Sequence, residues 1–242
     1  MPRARPVTVE LPTETGLHDG LAYSLWLPRT PAPGGVVVLH GAGSCKENHH
    51  DFARAVIGSG LAAIAFDERG HGESAGLMDG RAVDDIAHMA DLLRDRIGTE
   101  ANAPIALRGS SMGGYLALVA AAPARAAAVV AICPASAEGL ARGLTEARFE
   151  FQADAPAVHA FLAAHDERDA IADLEAPVLF LHAEGDEQVP VEHSRELAAL
   201  ARSPRSRLIA VPGGHHRSVQ HDPDLQAVSL RFIARELAPP AP

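Results

Sequence analysis

The amino-acid sequence predicts an α/β fold in which one mostly parallel sheet of about eight strands is covered by helices on both faces. Short continuous apolar runs recur along the chain, which is typical of parallel strands with both faces buried. Helical patterns separate these runs, as they do in β-α-β units. The chain has 242 residues, 47% hydrophobic and 21% charged, which is enough for one substantial core. We therefore expect a single domain over residues 1–242.

The predicted strands form two groups. Residues 7–11 and 21–27 alternate between apolar and polar side chains, which indicates antiparallel strands with one solvated face. The other six strands are predicted from uninterrupted apolar runs at residues 35–40, 61–66, 104–107, 127–132, 177–181 and 207–211.

The predicted helices lie between these strands. In residues 83–97 the apolar side chains fall on one face of a helix, and residues 192–201 and 224–237 have a similar pattern. Residues 115–122 are apolar or small, which suits a helix buried against the sheet.

The stretch between residues 132 and 177 breaks the alternation. It holds about 40 residues without a convincing strand, and residues 137–148 and 157–165 have helical patterns. A connection of this length is too long for a simple crossover. We predict a small helical cap at about residues 134–176, above the carboxyl ends of the strands, where open α/β sheets bind ligands.

Residues 109–113, Gly-Ser-Ser-Met-Gly, match the G-x-S-x-G pattern of a nucleophile elbow. They stand between a predicted strand and a predicted helix, so the hydroxyl of Ser111 would be exposed on the turn. Residues 72–76 match the same pattern, but Ser74 has no strand before it and no helix after it, which indicates a loop serine. The alternative for Ser111 is a helix N-cap without chemistry.

A nucleophilic serine needs a base and an acid that orients the base, in the chain order serine, acid, histidine on this type of elbow. Asp186 follows the strand at 177–181, with Glu184 and Glu187 as rivals for the same role. His215 and His216 follow the last strand, after two glycines. The alternatives are a turn aspartate and a pair of solvated histidines.

Taken together, these segments resemble a serine hydrolase of the α/β-hydrolase fold, close to bacterial carboxylesterases with a small cap. The segments that carry the resemblance are residues 40–43 (HGAG), 67–74 (DERGHGES), 109–113 (GSSMG), 181–190 (LHAEGDEQVP) and 213–216 (GGHH). The first resembles the oxyanion loop of the family, which implies oxyanion donors at the backbone N–H groups of Ala42 and Met112. The second resembles a turn that is mainly structural.

The resemblance also assigns the catalytic roles. It implies that Ser111 is the nucleophile, Asp186 the acid and His216 the base, because the family's G-x-x-H spacing starts at Gly213. His215 is the alternative base. In this mechanism the histidine takes the serine proton while the acid holds the ring tautomer.

The predicted activity is hydrolysis of small carboxylic esters through an acyl-enzyme, with short acyl chains favoured. An amidase or peptidase on the same triad and a non-catalytic binding protein on this fold are the alternatives. Phe149, Phe151 and Phe161 in the predicted cap are candidates for an apolar substrate pocket. They could equally attach the cap to the sheet.

Composition and charge exclude other classes. A formal net charge of −10 argues against nucleic acid or an anionic membrane as a partner. No H-E-x-x-H or Cys/His cluster is present, and the Gly-rich loops match neither a P-loop nor a dinucleotide fingerprint, so no metal or other cofactor is expected. Cys45 and Cys133 make no disulfide framework. Without a leader-like start or an apolar stretch of 18 residues, a cytoplasmic location is expected.

Overall fold

A computed structural model describes residues 10–98 and 102–238 of the chain. Eight strands form a sheet in the order β1-β2-β4-β3-β5-β6-β7-β8. The pairings of β2 with β1 and with β4 are antiparallel, and the other neighbours are parallel. The strands are β1 Glu14–His18, β2 Leu21–Trp26, β3 Gly35–Leu39, β4 Ala62–Phe66, β5 Ile105–Ser110, β6 Ala126–Ile132, β7 Val178–Ala183 and β8 Arg207–Val211.

Helices connect the strands on both sides of the sheet. They are α1 His50–Gly58, α2 Ala82–Ile97, α3 Met112–Val119, α4 Ala137–Thr145, α5 Ala155–Ala164, α6 Glu167–Asp173, α7 Val191–Leu200 and α8 Pro223–Leu237, and a short 3-10 helix covers Lys46–His49. Within the two described ranges, no helix is both long and apolar enough to cross a membrane.

The sheet separates two hydrophobic clusters. Strands β3 and β4 contribute to both, because successive side chains point to opposite faces. Val37 and Ile64 pack on one side with α2, α3 and the helices between β6 and β7. Val36 and Ala63 pack on the other side with α1 and α8. Burial on both faces explains the uninterrupted apolar runs from which these strands are predicted.

The first strand differs from the prediction. Residues 7–9 lie outside the described residues, and Glu10 and Leu11 are not in a strand. The structure instead pairs β1 with β2 around Asp19 and Gly20, whose φ angles are 51° and 82°. An Asp-Gly pair with positive φ at both positions forms a tight hairpin turn whose twist matches the flanking strands. The turn therefore places the first strand directly before Asp19.

The segment between β6 and β7 contains three helices, one more than predicted. We call residues 134–176 the helical insertion. Its third helix, α6, has the sequence ERDAIAD, in which Ile171 is the single buried apolar side chain marking an inner face. The insertion is also tied to the loop after β4, because Met78 N–H donates to the Gln152 carbonyl at 2.9 Å and Gln152 N–H donates to the Gly70 carbonyl at 3.0 Å.

Candidate active site

The structure places Ser111 on a sharp turn between β5 and α3. Its φ of 55° and ψ of −119° are strained for a residue other than glycine. Its N–H donates to the Ile132 carbonyl at 2.9 Å, and its carbonyl accepts from the N–H groups of Tyr115 and Ala135, both at 3.0 Å. These three hydrogen bonds fix the turn from the neighbouring strand, from α3 and from the start of the helical insertion.

Two glycines make this turn possible. A Cβ on Gly109 would lie 1.9 Å from the Gly113 carbonyl oxygen, and a Cβ on Gly113 would lie 2.5 Å from the carbonyl oxygens of Leu39 and His40. No side chain fits at either position because the obstacles are backbone atoms. The glycines of the sequence motif are therefore required by the close approach of strand, turn and helix.

Replacing Gly109 with alanine is expected to destabilise the protein by about 3 kcal/mol or more, because the new methyl group can be accommodated only by backbone movement. Gly58→Ala is the matched control, since a Cβ at this last residue of α1 meets nothing within 4 Å. Denaturant unfolding measures both variants. Equal unfolding midpoints for the two variants would contradict the close packing of the elbow.

His40 holds the predicted oxyanion loop. Its Nε2 accepts from the Glu68 N–H at 3.0 Å, so the ring proton is on Nδ1, which donates to the Gly41 carbonyl at 2.8 Å. Burial lowers the pKa of His40 to about 4, which keeps the ring neutral. Because the tautomer is fixed, the hydrogen bond from His40 Nδ1 to the Gly41 carbonyl fixes the backbone next to Ala42.

Asp67 organises the turn that follows β4. It accepts from the Lys46 backbone N–H at 2.7 Å, from Lys46 Nζ at 2.8 Å and from the Glu73 N–H at 2.9 Å. The Ser74 hydroxyl donates to the Asp67 carbonyl and accepts from the Ala22 N–H at 2.8 Å. Ser74 lies in a loop with both hydrogen-bonding roles occupied, which supports its interpretation as a structural residue.

Asp186 lies in the loop between β7 and α7, with its side chain fully buried. Its Oδ1 accepts from the N–H groups of Gln188 at 2.8 Å and Val189 at 2.9 Å. Its Oδ2 accepts from His216 Nδ1 at 2.7 Å and lies 3.4 Å from His182 Nε2. Burial alone would raise the pKa of Asp186, but these hydrogen bonds hold it well below its usual range. The carboxylate is therefore ionised and fixed in direction.

The loop after β8 brings His216 to Asp186. Gly213 and Gly214, with φ angles of 68° and 75°, turn the chain before the histidines. The His216 side chain is 7% exposed, whereas His215 is exposed and its N–H donates to the Ser218 hydroxyl at 3.0 Å. Of the two histidines, His216 is the one whose ring contacts the buried carboxylate.

The rival acids lie elsewhere. Glu184 is exposed and pairs with Arg195 at 3.0 Å. Glu187 is exposed on the wall of the cavity described below. Asp186 is the acid hydrogen-bonded to the ring of His216.

Ser111 and His216 line the same cavity, which has a volume of about 1020 Å³. Gly41, Ala42 and Gly43 form part of its wall, and the helical insertion forms another part. Met112 follows Ser111 as the first residue of α3, where backbone N–H groups have no partner within the helix. The charged side chains on the cavity wall are Arg142, Arg148, Arg168, Glu187, Glu192, Glu196 and Arg217.

The three phenylalanines of the insertion lie in different places. Phe149 lines the large cavity. Phe151 and Phe161 instead line a second, apolar cavity of about 10 Å³, which Phe149 also contacts. Phe161 is 3% exposed and packs edge-on against the ring of Tyr115 on α3. Phe151 and Phe161 therefore lie outside the wall of the large cavity, where Phe151 stacks on His71 and Phe161 packs against Tyr115.

A hydrogen-bonded chain along the cavity wall was not predicted from the sequence. The Ser110 hydroxyl donates to Gln220 Oε1 at 2.7 Å, and Gln220 Nε2 contacts His221 Nε2 at 2.9 Å. His221 Nδ1 is 3.0 Å from Asp51 Oδ2, and buried Arg108 donates to the Gln220 carbonyl at 2.8 Å. This chain ties the loop that carries His216 to β5 and α1. No local motif signals it, because its members come from separate parts of the sequence.

Two buried groups beside Asp186 were also missed. His182 is fully buried, with Nε2 donating to the Val189 carbonyl at 2.9 Å and Nδ1 accepting from the Ser194 hydroxyl at 2.7 Å. Cys133, 1% exposed, follows β6 and offers its sulfur next to Asp186 and His216. The sequence marks Cys133 only as one of two cysteines.

Comparisons with known proteins agree with this architecture. A monoacylglycerol lipase from Mycolicibacterium smegmatis is 28% identical over 253 residues, covering 86% of this chain and 89% of that protein. A soluble variant of monoglyceride lipase from Saccharomyces cerevisiae has a TM-score of 0.75 at 16% identity, covering 98% of this chain and 99% of its own. An esterase from Pyrococcus furiosus has a TM-score of 0.69 at 20% identity, covering 92% and 88%.

The structural likenesses confirm the predicted α/β-hydrolase fold. The family described as "Serine aminopeptidase, S33" matches residues 30–165, more than half of the chain. The chain therefore belongs to this family of serine hydrolases with the α/β-hydrolase fold.

Proposed function

We propose that this protein hydrolyses small carboxylic esters through an acyl-enzyme formed on Ser111. The observation that carries the proposal is the 2.7 Å contact between His216 Nδ1 and a buried, ionised Asp186, in a loop whose histidine lines the same cavity as the strained Ser111. The similarity to proteins named as lipases and as an esterase supports ester chemistry.

In the first half of the reaction, the Ser111 hydroxyl attacks the ester carbonyl while His216 Nε2 accepts its proton. The backbone N–H groups of Ala42 and Met112 bind the developing oxyanion, each donor contributing ~3–4 kcal/mol to transition-state stabilisation. Asp186 accepts from Nδ1, keeps Nε2 free to take the proton and stabilises the imidazolium. The imidazolium then gives its proton to the leaving alcohol, which departs as the C–O bond breaks.

In the second half, water takes the place of the alcohol. His216 removes a proton from the water as the water oxygen attacks the acyl-enzyme carbonyl. The same two N–H groups bind the second oxyanion. The bond to Ser111 then breaks, the serine oxygen regains a proton from the imidazolium, and the acid product leaves.

Amide hydrolysis is the second candidate, and the description of the matching family as a serine aminopeptidase favours it. Acidic side chains on the cavity wall, Glu187 among them, could hold the amino terminus of a peptide. An aminopeptidase would cleave p-nitroanilides of amino acids with a free α-amino group at rates comparable to the best ester. We expect the esters to be preferred.

We propose that the helical insertion acts as a cap and limits the acyl chain. The insertion lines the cavity with Phe149 and Leu140. The second, apolar cavity has an open volume of only about 10 Å³, so there is no room behind Phe149 for a longer chain. Seven charged side chains stand among the other residues of the wall. A long acyl chain would therefore gain little from the outer part of the cavity.

For a series of p-nitrophenyl esters, we expect kcat/KM to peak at about two to six acyl carbons and to fall steeply by about ten. Each methylene buried against the apolar wall gains roughly 0.8 kcal/mol, whereas each one among the charged side chains gains little. The same assay includes amino-acid p-nitroanilides and a long-chain monoacylglycerol. A profile that rises through long chains would assign the protein to the lipases instead, and faster cleavage of the anilides would assign it to the peptidases.

A further inference from the structure

A buried thiol lies beside the acid and the base. Cys133, Asp186 and His216 follow β6, β7 and β8, which are neighbours in the sheet and parallel to one another. Their carboxyl ends therefore meet at one edge. A sulfur, a carboxylate oxygen and an imidazole nitrogen from the three residues all lie within 4.8 Å of one another.

The backbone holds Cys133 in this place. Its φ of 41° is unusual for a residue other than glycine, and its N–H donates to the Leu181 carbonyl at 2.8 Å. The residue is 1% exposed. The proposed hydrolysis makes no use of this thiol.

Oδ2 is the oxygen of Asp186 that can act as a ligand. Two backbone N–H groups occupy Oδ1, so Oδ2 faces His216 Nδ1. The ring of His216 lines the cavity, whereas the side chains of Cys133 and Asp186 are buried, so a cation has to approach from the side of His216.

We propose that Cys133, Asp186 and His216 form an inhibitory site for thiophilic divalent cations such as Zn²⁺. Thiolate, carboxylate and imidazole are all ordinary zinc ligands, with bond lengths of about 2.0–2.3 Å that place ligand atoms ~3.3–3.7 Å apart in a tetrahedron. The Nδ1–Oδ2 pair has to open from 2.7 Å by roughly half an ångström, and the sulfur, which lies within 4.8 Å of both groups, has to take up the same spacing. Water completes the tetrahedron as the fourth ligand.

Binding at this site would stop the proposed reaction, so the inhibitory effect rests on the proposed function. Zn²⁺ displaces the proton of the Cys133 thiol, which is released to solvent. It also takes the Nδ1 lone pair of His216, so the ring proton moves to Nε2 and the imidazole stays neutral. With Nε2 protonated, His216 cannot accept the proton of Ser111.

The cysteine count allows a direct spectroscopic test. Because the chain has two cysteines, a near-ultraviolet thiolate-to-cobalt charge-transfer band on adding Co²⁺ must come from Cys133 or Cys45. We expect the band in the wild type and in Cys45→Ser, the matched control, and its loss in Cys133→Ser. The absence of a band in the wild type, or its loss in Cys45→Ser instead, would overturn the proposal.

His216→Ala provides a second variant if Cys133→Ser does not fold. Loss of the imidazole ligand is expected to weaken Co²⁺ binding at least about tenfold, as followed by the same band. Unchanged Co²⁺ affinity in His216→Ala would exclude His216 as a ligand and overturn the three-residue site.

Inhibition is measured separately, with Zn²⁺ added to the assay of a short p-nitrophenyl ester. Each variant is compared with its own metal-free rate. We expect chelator-reversible inhibition whose half-maximal Zn²⁺ concentration rises at least about tenfold in Cys133→Ser but not in Cys45→Ser. Equal inhibition of both variants would overturn the proposal. If no ester is hydrolysed, the Co²⁺ band still tests the metal site, so failure of the proposed function is distinguishable.

Discussion

Replacing Ser111 with alanine is expected to lower ester turnover by about 10⁴-fold or more in kcat, because no acyl-enzyme can form without the hydroxyl. Alanine is no larger than serine and can keep the strained φ of 55° at this position. The variant should therefore fold with a near-normal melting temperature. Steady-state hydrolysis of a short p-nitrophenyl ester measures the loss. A fluorophosphonate probe, which reacts with activated serines, should label the wild type and not the variant.

Two other serines are the controls. Ser110→Ala removes a hydrogen bond to Gln220, and Ser74→Ala removes two hydrogen bonds within a structural turn. Each should retain most of its turnover per folded molecule. Substantial turnover by folded Ser111→Ala would remove the nucleophile assignment, and an unlabelled wild type would favour a non-catalytic binding protein on this fold.

The parallel part of the sheet was predictable because burial on both faces leaves a continuous apolar run in the sequence. Strand β1 at Glu14–His18 was not predicted, and the strand predicted at residues 7–11 lies mostly outside the described residues. The Asp19-Gly20 pair is the stronger signal, because the turn it forms fixes both the position and the register of β1. Helix α6 was not predicted, because its seven residues bury a single apolar side chain, Ile171, and so show no periodic pattern.

The candidate site was predictable where its chemistry is local. The elbow needs glycines at fixed spacing, so the pattern around Ser111 is visible in the sequence. Contacts between distant segments leave no such mark. The ring of His216 rather than His215 faces Asp186 because of how the loop after β8 turns, and the positions of Cys133 and Gln220 follow from the order of strands in the sheet.

The second large loss of activity is expected on replacing His216, with His215 as the control. His216→Ala is expected to lower kcat for a short p-nitrophenyl ester by about 10⁴-fold or more, since the members of a triad act as a unit. His216 Nδ1 lies 2.7 Å from Asp186 Oδ2, so the substitution also removes one donor from the buried carboxylate of Asp186. The backbone N–H groups of Gln188 and Val189 still donate to Asp186, which should keep the loop folded.

His215→Ala is the matched control, one residue away in the same loop. Its ring is exposed, and the hydrogen bonds of its backbone N–H and carbonyl to Ser218 survive the substitution. We expect a change of less than about tenfold in kcat/KM, with the melting temperature close to that of the wild type. If His215→Ala were the inactive variant and His216→Ala the active one, the exposed ring would have to be the base. The buried pair of His216 and Asp186 would then be a structural contact, and the proposed proton path through Nε2 of His216 would be wrong.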